Sequence, residues 1–343
     1  MKNKKSIYHY LRLFKNTNIA YNKFGITSLS QKKGLFKDLK RAYFDYGWEP
    51  YEYFQFEFFN KSVDEIKSYI PTKEHIKMVY FFNTEEDIKF LQNKYKTYTR
   101  YKDFFKRQVA YITKRNADVL TSMLKSHDRL ILKPVDGTFG EGVRVINCKD
   151  YVDNHFLLFQ EYPSGDFLVE ELIDQLDDLA RLHPASVNTI RIYSICYGSE
   201  VVVFHPWLRI GKGGSVIDNA SAGGIGAALD FNTGEIISAG DKFGHRYETH
   251  PDTNIQLIGF KVPQWENLIY TVKRLALVNN NLHYVGWDMA LSKDGWVLVE
   301  GNPRAQIGFQ IMEKRGFRAD LDSFLDKFGI KDKYYTYLRV SDD

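Results

Sequence analysis

Apolar positions recur at helical spacing through the first third of the chain. Ile7, Tyr10, Leu11 and Phe14 are three or four residues apart, and Leu35 to Phe44 repeats the pattern. Thr84-Glu85-Glu86-Asp87 reads as a cap and acidic first turn that open another helix. Alternation of polar and apolar residues, the mark of a half-buried strand, barely occurs before residue 110. From Leu130 onward the texture changes to short apolar runs bounded by glycine loops. Strands are expected at Leu130–Leu132, Val143–Ile146, Phe167–Val169, Thr189–Cys196, Val201–Phe204, Tyr284–Leu291 and Trp296–Val299, with a helix over Gln264–Leu277. No internal repeat is visible. The change of texture sets a boundary between Lys94 and Leu130, and the order of elements gives an α+β class.

The 343 residues suffice for two or three domains. Hydrophobic content of 44% and charged content of 26% are globular values, which excludes fibres and long disordered chains. The departure is aromatic: 23 Tyr, 25 Phe and 5 Trp make 15% of the chain. Roughly half lie in the first third, where the expectation is the core of a helical domain, because aromatics bury large area per residue. A net charge of +4 is too balanced to imply nucleic-acid binding by the whole chain. The bias is local: between Lys2 and Lys40 Asp38 is the lone acid, so this end could make a peripheral contact with an anionic surface. Cys148 and Cys196 alone make no disulfide framework and no metal spacing. With no apolar run of about 20 residues to span a membrane, the expected class is soluble and cytoplasmic.

Candidate chemistry concentrates near the end of the strand region, where two strands flank Lys293-Asp294-Gly295. A three-residue loop with Gly295 in the left-handed position sets Ser292 opposite Trp296 and Asp288 opposite Glu300. Asn302 then shares their face. A two-residue loop would send the two acids to opposite faces. Facing carboxylates repel unless a cation lies between them, and an all-oxygen set suits Mg²⁺. Taken alone, the pair is either a metal site or the wet face of a hairpin. A second signal is Lys133-Pro134 at the end of an apolar strand, followed by Gly137, Gly140 and Gly142. This is either a phosphate cradle, with glycine N–H groups and a lysine charge, or a glycine-rich hairpin. It is neither a Walker loop nor a dinucleotide fingerprint. Third, Val169-Glu170-Glu171-Leu172 ends a strand whose backbone could meet an adenine edge, with Asp177 or Asp178 in reach of ribose hydroxyls.

In this order and spacing the three signals resemble the ATP-grasp superfamily. Lys133, Gly137, Gly140 and Gly142 resemble its flexible glycine loop, Glu170, Glu171 and Leu172 its adenine hinge, and Asp288, Glu300 and Asn302 its metal-binding acids and asparagine. The Asn93-Lys94 step resembles an Asp-Lys step carrying the other ATP lysine, with Asn in place of Asp. Ser186-Val187-Asn188-Thr189-Ile190-Arg191, Trp207-Leu208-Arg209-Ile210-Gly211, Asp218-Asn219 with Gly223-Gly224, and Gly286-Trp287-Asp288 through Glu300-Gly301-Asn302-Pro303-Arg304 narrow the resemblance. They are similar to the sugar-transfer-associated ATP-grasp proteins of polysaccharide gene clusters, over roughly residues 90–320.

The resemblance implies an ATP-grasp fold of two α+β lobes that clamp ATP, preceded by a helical, aromatic-rich domain. The segments would be 1–110, 111–172 and 173–330, with a tail at 331–343. It implies ATP and Mg²⁺, with Mn²⁺ as the alternative ion, and a ligase that joins a carboxylate to an amine through an acyl phosphate. The substrates implied are a small carboxylate and amine, sugar-linked in the polysaccharide setting, and neither nucleic acid nor a membrane span is involved. In that scheme Lys94, Lys133, Asp178 and Asn219 bind nucleotide. Arg209 stabilises the oxyanion and Arg304 holds a substrate carboxylate. Ile217 stands where glutamate ligases carry a phosphate-binding arginine, so Arg191, Arg209 or Lys212 would supply that charge. A kinase of the same fold, or a binding module without turnover, would use the same nucleotide residues. His245 and His250 flank Glu248 but fit no helix face and carry no assignment; Trp207 and Trp287 read as core.

Overall fold

A computed structural model describes residues 7–137, 141–162, 164–215, 218, 223–242 and 245–340. The chain divides into two compact units. One comprises Met1–Phe81, Lys242–His245 and Gln306–Asp343, and the other Phe82–Asp241 and Arg246–Ala305.

The first unit is helical. Helices Ile7–Lys23 and Leu29–Tyr46 follow the periodicity at Ile7 and Leu35, and the second stops at Gly47, whose φ of 77° places it in the left-handed region. The core gathers Leu13, Leu39, Trp48, Tyr53, Phe58 and Tyr69. Trp48 and Phe58 pack edge to face with centroids 4.7 Å apart. Part of the aromatic excess is thereby used as packing area. The C-terminal segment completes this unit. Gln310 Oε1 accepts from Ile70 N at 2.9 Å and from Phe317 N at 3.1 Å. The Arg318 guanidinium forks onto Glu74, whose Oε1 also accepts from Tyr334 Oη at 3.2 Å.

The second unit holds two antiparallel sheets. Strands β1 (Val109–Thr113), β2 (Arg129–Lys133), β3 (Arg144–Asn147) and β4 (Asp166–Glu171) form a four-stranded sheet in the order β1-β4-β2-β3. Strands β5 (Thr189–Tyr197), β6 (Glu200–Ile210), β7 (Ile225–Leu229), β8 (Ile236–Gly240), β9 (Tyr284–Ser292) and β10 (Gly295–Asn302) form a six-stranded sheet ordered β10-β9-β5-β6-β7-β8. Leu120, Met123 and Leu124 of helix Ala117–Ser126 cover the first sheet at Leu132 and Val169. Helix Trp265–Val278 buries Leu268, Val272 and Leu275 in the core of the second.

Every strand expected from the sequence is present, and β1, β7 and β8 are additional. β7 is buried at every position and built from Ile-Gly-Ala-Ala-Leu, so it shows no alternation. β6 runs beyond the expected end at Phe204. His205 adopts a φ of 44° and Pro206 lacks a donor, and the pairing with β5 shifts there, between Arg191 and Tyr193. The bulge lets the strand continue past a residue that would otherwise end it. Among the described residues, no helix is long and apolar enough to cross a membrane.

Candidate active site

The β9–β10 hairpin differs at its turn from the expectation. Ser292 pairs with Gly295, not Trp296, so the loop is Lys293-Asp294 alone, and Trp296 faces Leu291. Ser292 Oγ donates to Gly295 O at 2.9 Å and accepts from Asp294 N at 3.2 Å, which closes the tighter turn. That register alone would separate the acids. A bulge between Leu298 and Glu300 restores it: Glu300 pairs with Asp288 and Asn302 with Gly286. The extra residue sits at Val299 instead of in the turn.

Asp288 also lies opposite Arg191 on β5, and Thr189, two residues earlier on the same face, lies opposite Arg209 on β6. The Arg191 guanidinium grips Asp288 through Nε and through Nη2, the latter at 2.9 Å from Oδ2. Arg209 Nη2 lies 3.0 Å from the same Oδ2, and Asn302 Nδ2 donates to it at 3.3 Å. Burial opposes the charge on Asp288, but the two arginines overcome it and hold the carboxyl below its usual range. Glu300 behaves oppositely. Burial and the adjacent Asp288 raise its pKa against the pull of Lys94, Arg191 and Lys133.

Motif residues around this cluster have separate tasks. Asp218 accepts from Thr189 N at 2.9 Å and Oγ1 at 2.5 Å, and its other oxygen lies 3.5 Å from Arg209. Arg209 Nη2 also donates to Thr189 Oγ1 at 2.7 Å. Asn188, fully buried, donates to Leu179 O at 2.8 Å and bonds Gln175. A methyl group on Gly286 would overlap the Ala305 side chain and come 3.2 Å from Arg191 Cδ, so glycine here makes room first for Ala305 and then for that arginine. Trp207 Nε1 donates to Tyr193 Oη and Trp287 Nε1 to Ser194 Oγ, as core residues do.

A second charged group lies on the four-stranded sheet. Glu170 of β4 is buried between Lys133 Nζ at 2.9 Å and Arg107 Nη2 at 2.8 Å. Burial opposes its charge, and the two cations lower its pKa to about 2. Arg107 also donates through Nη1 to Leu298 O at 2.7 Å, immediately before the β10 bulge. Lys94 donates to Gly137 O at 2.9 Å, and its backbone N–H to Val135 O at 3.0 Å, which docks the Asn93-Lys94 step on the glycine loop. Burial lowers the Lys94 pKa, Glu300 draws it upward and Lys133 lowers it further, so the three lie within one electrostatic neighbourhood. Gly137 and Gly142 have φ of 128° and 72°, conformations that favour glycine.

Other sequence candidates lie apart from these pairings. Glu171 Oε2 accepts from Gln108 N at 3.1 Å at the end of β4, and Leu172 follows half-buried. Asp178 is exposed on helix Asp177–Ala180. Lys212 donates to Tyr247 Oη at 3.0 Å and lies 3.4 Å from Asp241. Arg304 is exposed just beyond β10. Gly140 and Asn219 fall outside the described residues. His250 is fully buried with Nε2 2.8 Å from Gly211 O, a loop anchor. Sequence reasoning missed Arg107, since nothing marks Lys106-Arg107-Gln108 ahead of an unrecognised strand. It quoted Asp218 without a role.

The model of the sugar-transfer associated ATP-grasp family matches residues 74–325. The chain belongs to that family. Among solved structures, the ATP-grasp ligase PsnB complexed with minimal precursor is 15% identical, with a TM-score of 0.43, over 72% of this chain and 64% of that one. D-alanyl-alanine synthetase A from Vibrio cholerae is 13% identical, with a TM-score of 0.41, over 67% of this chain and 63% of that one. N5-carboxyaminoimidazole synthase from Aspergillus clavatus is 11% identical, with a TM-score of 0.46, over 75% of this chain and 58% of that one. The chain therefore spans less than two thirds of the length of each. No curated protein matches it in sequence.

The ATP-grasp assignment raises the question of a divalent cation, and the donor set fits one. Among the described residues the Glu300 carboxyl has no hydrogen bond or ion pair, although burial and Asp288 make its charge costly. Asn302 uses its amide nitrogen on Asp288, which leaves its carbonyl oxygen for a ligand. Both oxygens of Asp288 are on arginines.

Proposed function

We propose that the chain is an ATP-dependent carboxylate–amine ligase. In this reading the γ-phosphoryl of ATP passes to a substrate carboxylate, and an amine displaces phosphate from the acyl phosphate to form an amide. The observation that carries the reading is the convergence of Asp288, Glu300 and Asn302 with Arg191 and Arg209 on one sheet face, within electrostatic reach of Lys94 and Lys133. The sheet-bearing unit holds the nucleotide, Lys94 and Lys133 bind its phosphates, and Glu170 fixes the direction of Lys133. Glu300 and Asn302, with Asp288 behind them, would hold Mg²⁺ or Mn²⁺, which when bound supplies charge to phosphate oxygens. Arg209, anchored by Thr189, Asp218 and Asp288, presents a fixed cation to a developing oxyanion. Arg304 receives a substrate carboxylate.

A kinase would require a carboxylate base beside the attacking hydroxyl. Asp218 is one candidate, and burial raises its pKa, but Thr189 and Arg209 engage both of its oxygens. That favours the ligase. The family description, sugar-transfer associated, supports a substrate in glycan assembly; in this reading the substrate is a sugar acid or an amino acid, handled in the cytoplasm. The test is incubation with ATP, Mg²⁺, hydroxylamine and pools of sugar acids and amino acids. Hydroxamate with stoichiometric ADP is expected. Phosphorylated hydroxyl product without hydroxamate would establish a kinase, and no ADP in either assay a binding module.

A further inference from the structure

Helix Ile7–Lys23 carries apolar residues on two faces, and one packed core accounts for only one of them. Leu13, Thr17, Ala20 and Tyr21 are buried. About a quarter of a turn round, Ile7, Leu11 and Phe14 form a ridge at helical spacing and are 79%, 65% and 61% exposed, with Tyr8 and Ile19 exposed further round the helix. Single exposed apolar residues are ordinary; a ridge of large ones on one helix face is not.

The charge beside the ridge indicates its occupant. Helix Leu29–Tyr46 places Lys33, Lys37, Lys40 and Phe44 on one stripe at four-, three- and four-residue steps. Phe44 packs on Tyr10 with centroids 4.8 Å apart, and Lys40 Nζ lies 5.2 Å from the Tyr10 ring centre. Tyr10 and Phe14 are one turn apart, so the lysine stripe borders the apolar ridge. Lys15 and Lys23 are exposed on the ridge helix itself. The acids of the second helix, Asp38 and Asp45, lie about a third of a turn round from the stripe. An apolar ridge edged by lysines complements a surface that is anionic outside and hydrocarbon within.

We propose that this helical hairpin docks the protein on an anionic phospholipid bilayer, with Ile7, Leu11 and Phe14 inserted at the boundary of headgroups and acyl chains. Lys15, Lys33, Lys37 and Lys40 face the lipid phosphates. The contact is peripheral and reversible, and it lies outside the candidate active site.

Vesicle flotation of the full chain tests the assignment, using phosphatidylcholine vesicles with and without 30 mol% phosphatidylglycerol at about 0.1 M salt. The protein is expected to float with the anionic vesicles at least about tenfold more strongly and to be released by about 0.5 M NaCl. Each of Lys33→Gln, Lys37→Gln and Lys40→Gln should weaken binding by about fivefold. The triple variant Ile7→Ser/Leu11→Ser/Phe14→Ser should abolish binding and leave nucleotide turnover unchanged. As a second measurement, Leu11→Cys carries an environment-sensitive dye, because Cys148 and Cys196 are buried. Its emission should shift blue on anionic vesicles only. Equal binding to both vesicle types, or none, overturns the proposal. So does a solution dimer that the triple variant splits while wild-type protein ignores vesicles, which would make the ridge an interface between copies.

Discussion

Asp288 and Glu300 face each other across β9 and β10, yet their charges are balanced in opposite ways. Asp288 is compensated within the fold by Arg191 and Arg209, whereas Glu300 is held close to a like charge without an ion pair among the described residues. Removing each charge should therefore have opposite effects on the metal-free protein. Asp288→Asn leaves the buried Arg191 guanidinium without its anion and Arg209 with Asp218 alone, and should cost about 3–5 kcal/mol. Glu300→Gln relieves repulsion and should leave the melting temperature unchanged or higher. Both should lower turnover by about 100-fold or more. Thermal melts in chelator, set beside turnover with ATP and Mg²⁺, separate the two effects; equal destabilisation by both variants would contradict this account. Gly286→Ala bears on the same pair. The added methyl crowds Ala305 and Arg191, so it should reduce turnover about tenfold or more by displacing the guanidinium, while Gly308, with open space around it, should accept alanine.

Individual elements show where sequence reading succeeds and where it stops. The apposition of Asp288 and Glu300 was legible, because side-chain period and pairing leave few arrangements that bring both to one face. The location of the extra residue was not: a turn and a bulge at Val299 give the same pairing at the acids. Arg107 was illegible because its partners, Glu170 and Leu298 O, are 63 and 191 residues away. As the link between β4 and the residue preceding the bulge, Arg107 should behave as a positioning residue. Arg107→Lys keeps the charge but loses the fork, so kcat should fall about tenfold or more with little change in nucleotide affinity, read as a kcat against KM split. Glu170 gives a pH prediction. Its folded pKa, near 2, lies below the ordinary value of 4.5, so its stabilisation is complete above about pH 5 and lost as pH falls toward 2. The contribution at neutral pH is about 3 kcal/mol. Urea unfolding from pH 6 to pH 3 should show wild-type stability falling more steeply than that of Glu170→Gln; parallel slopes would remove Glu170 from the acid response.

At the scale of the whole molecule, the helical texture of the first third was visible in the sequence, but its dependence on the far end of the chain was not. Glu74 and Ile70 find their partners in Arg318, Tyr334 and Gln310, more than 200 residues later, and no local pattern encodes such a pairing. Each unit nevertheless has a core of its own, one around Trp48 and Tyr53 and the other around the two sheets. Unfolding should accordingly occur in two transitions, since all-or-none behaviour is a property of single domains. ATP with Mg²⁺ binds the sheet-bearing unit in the proposed scheme, so it should raise that transition alone; at a ligand concentration of 100 times Kd the gain is about 2.7 kcal/mol. Glu74→Ala should lower only the helical transition. The loss should be about 1–3 kcal/mol, less than for a fully buried pair because both partners retain some exposure. Calorimetry of wild-type and Glu74→Ala protein, each with and without nucleotide, reads the two shifts independently. A single transition that moves as a whole under both perturbations would mean that the units share one cooperative core, and the division of the chain at residues 81, 241 and 305 would then have no thermodynamic counterpart.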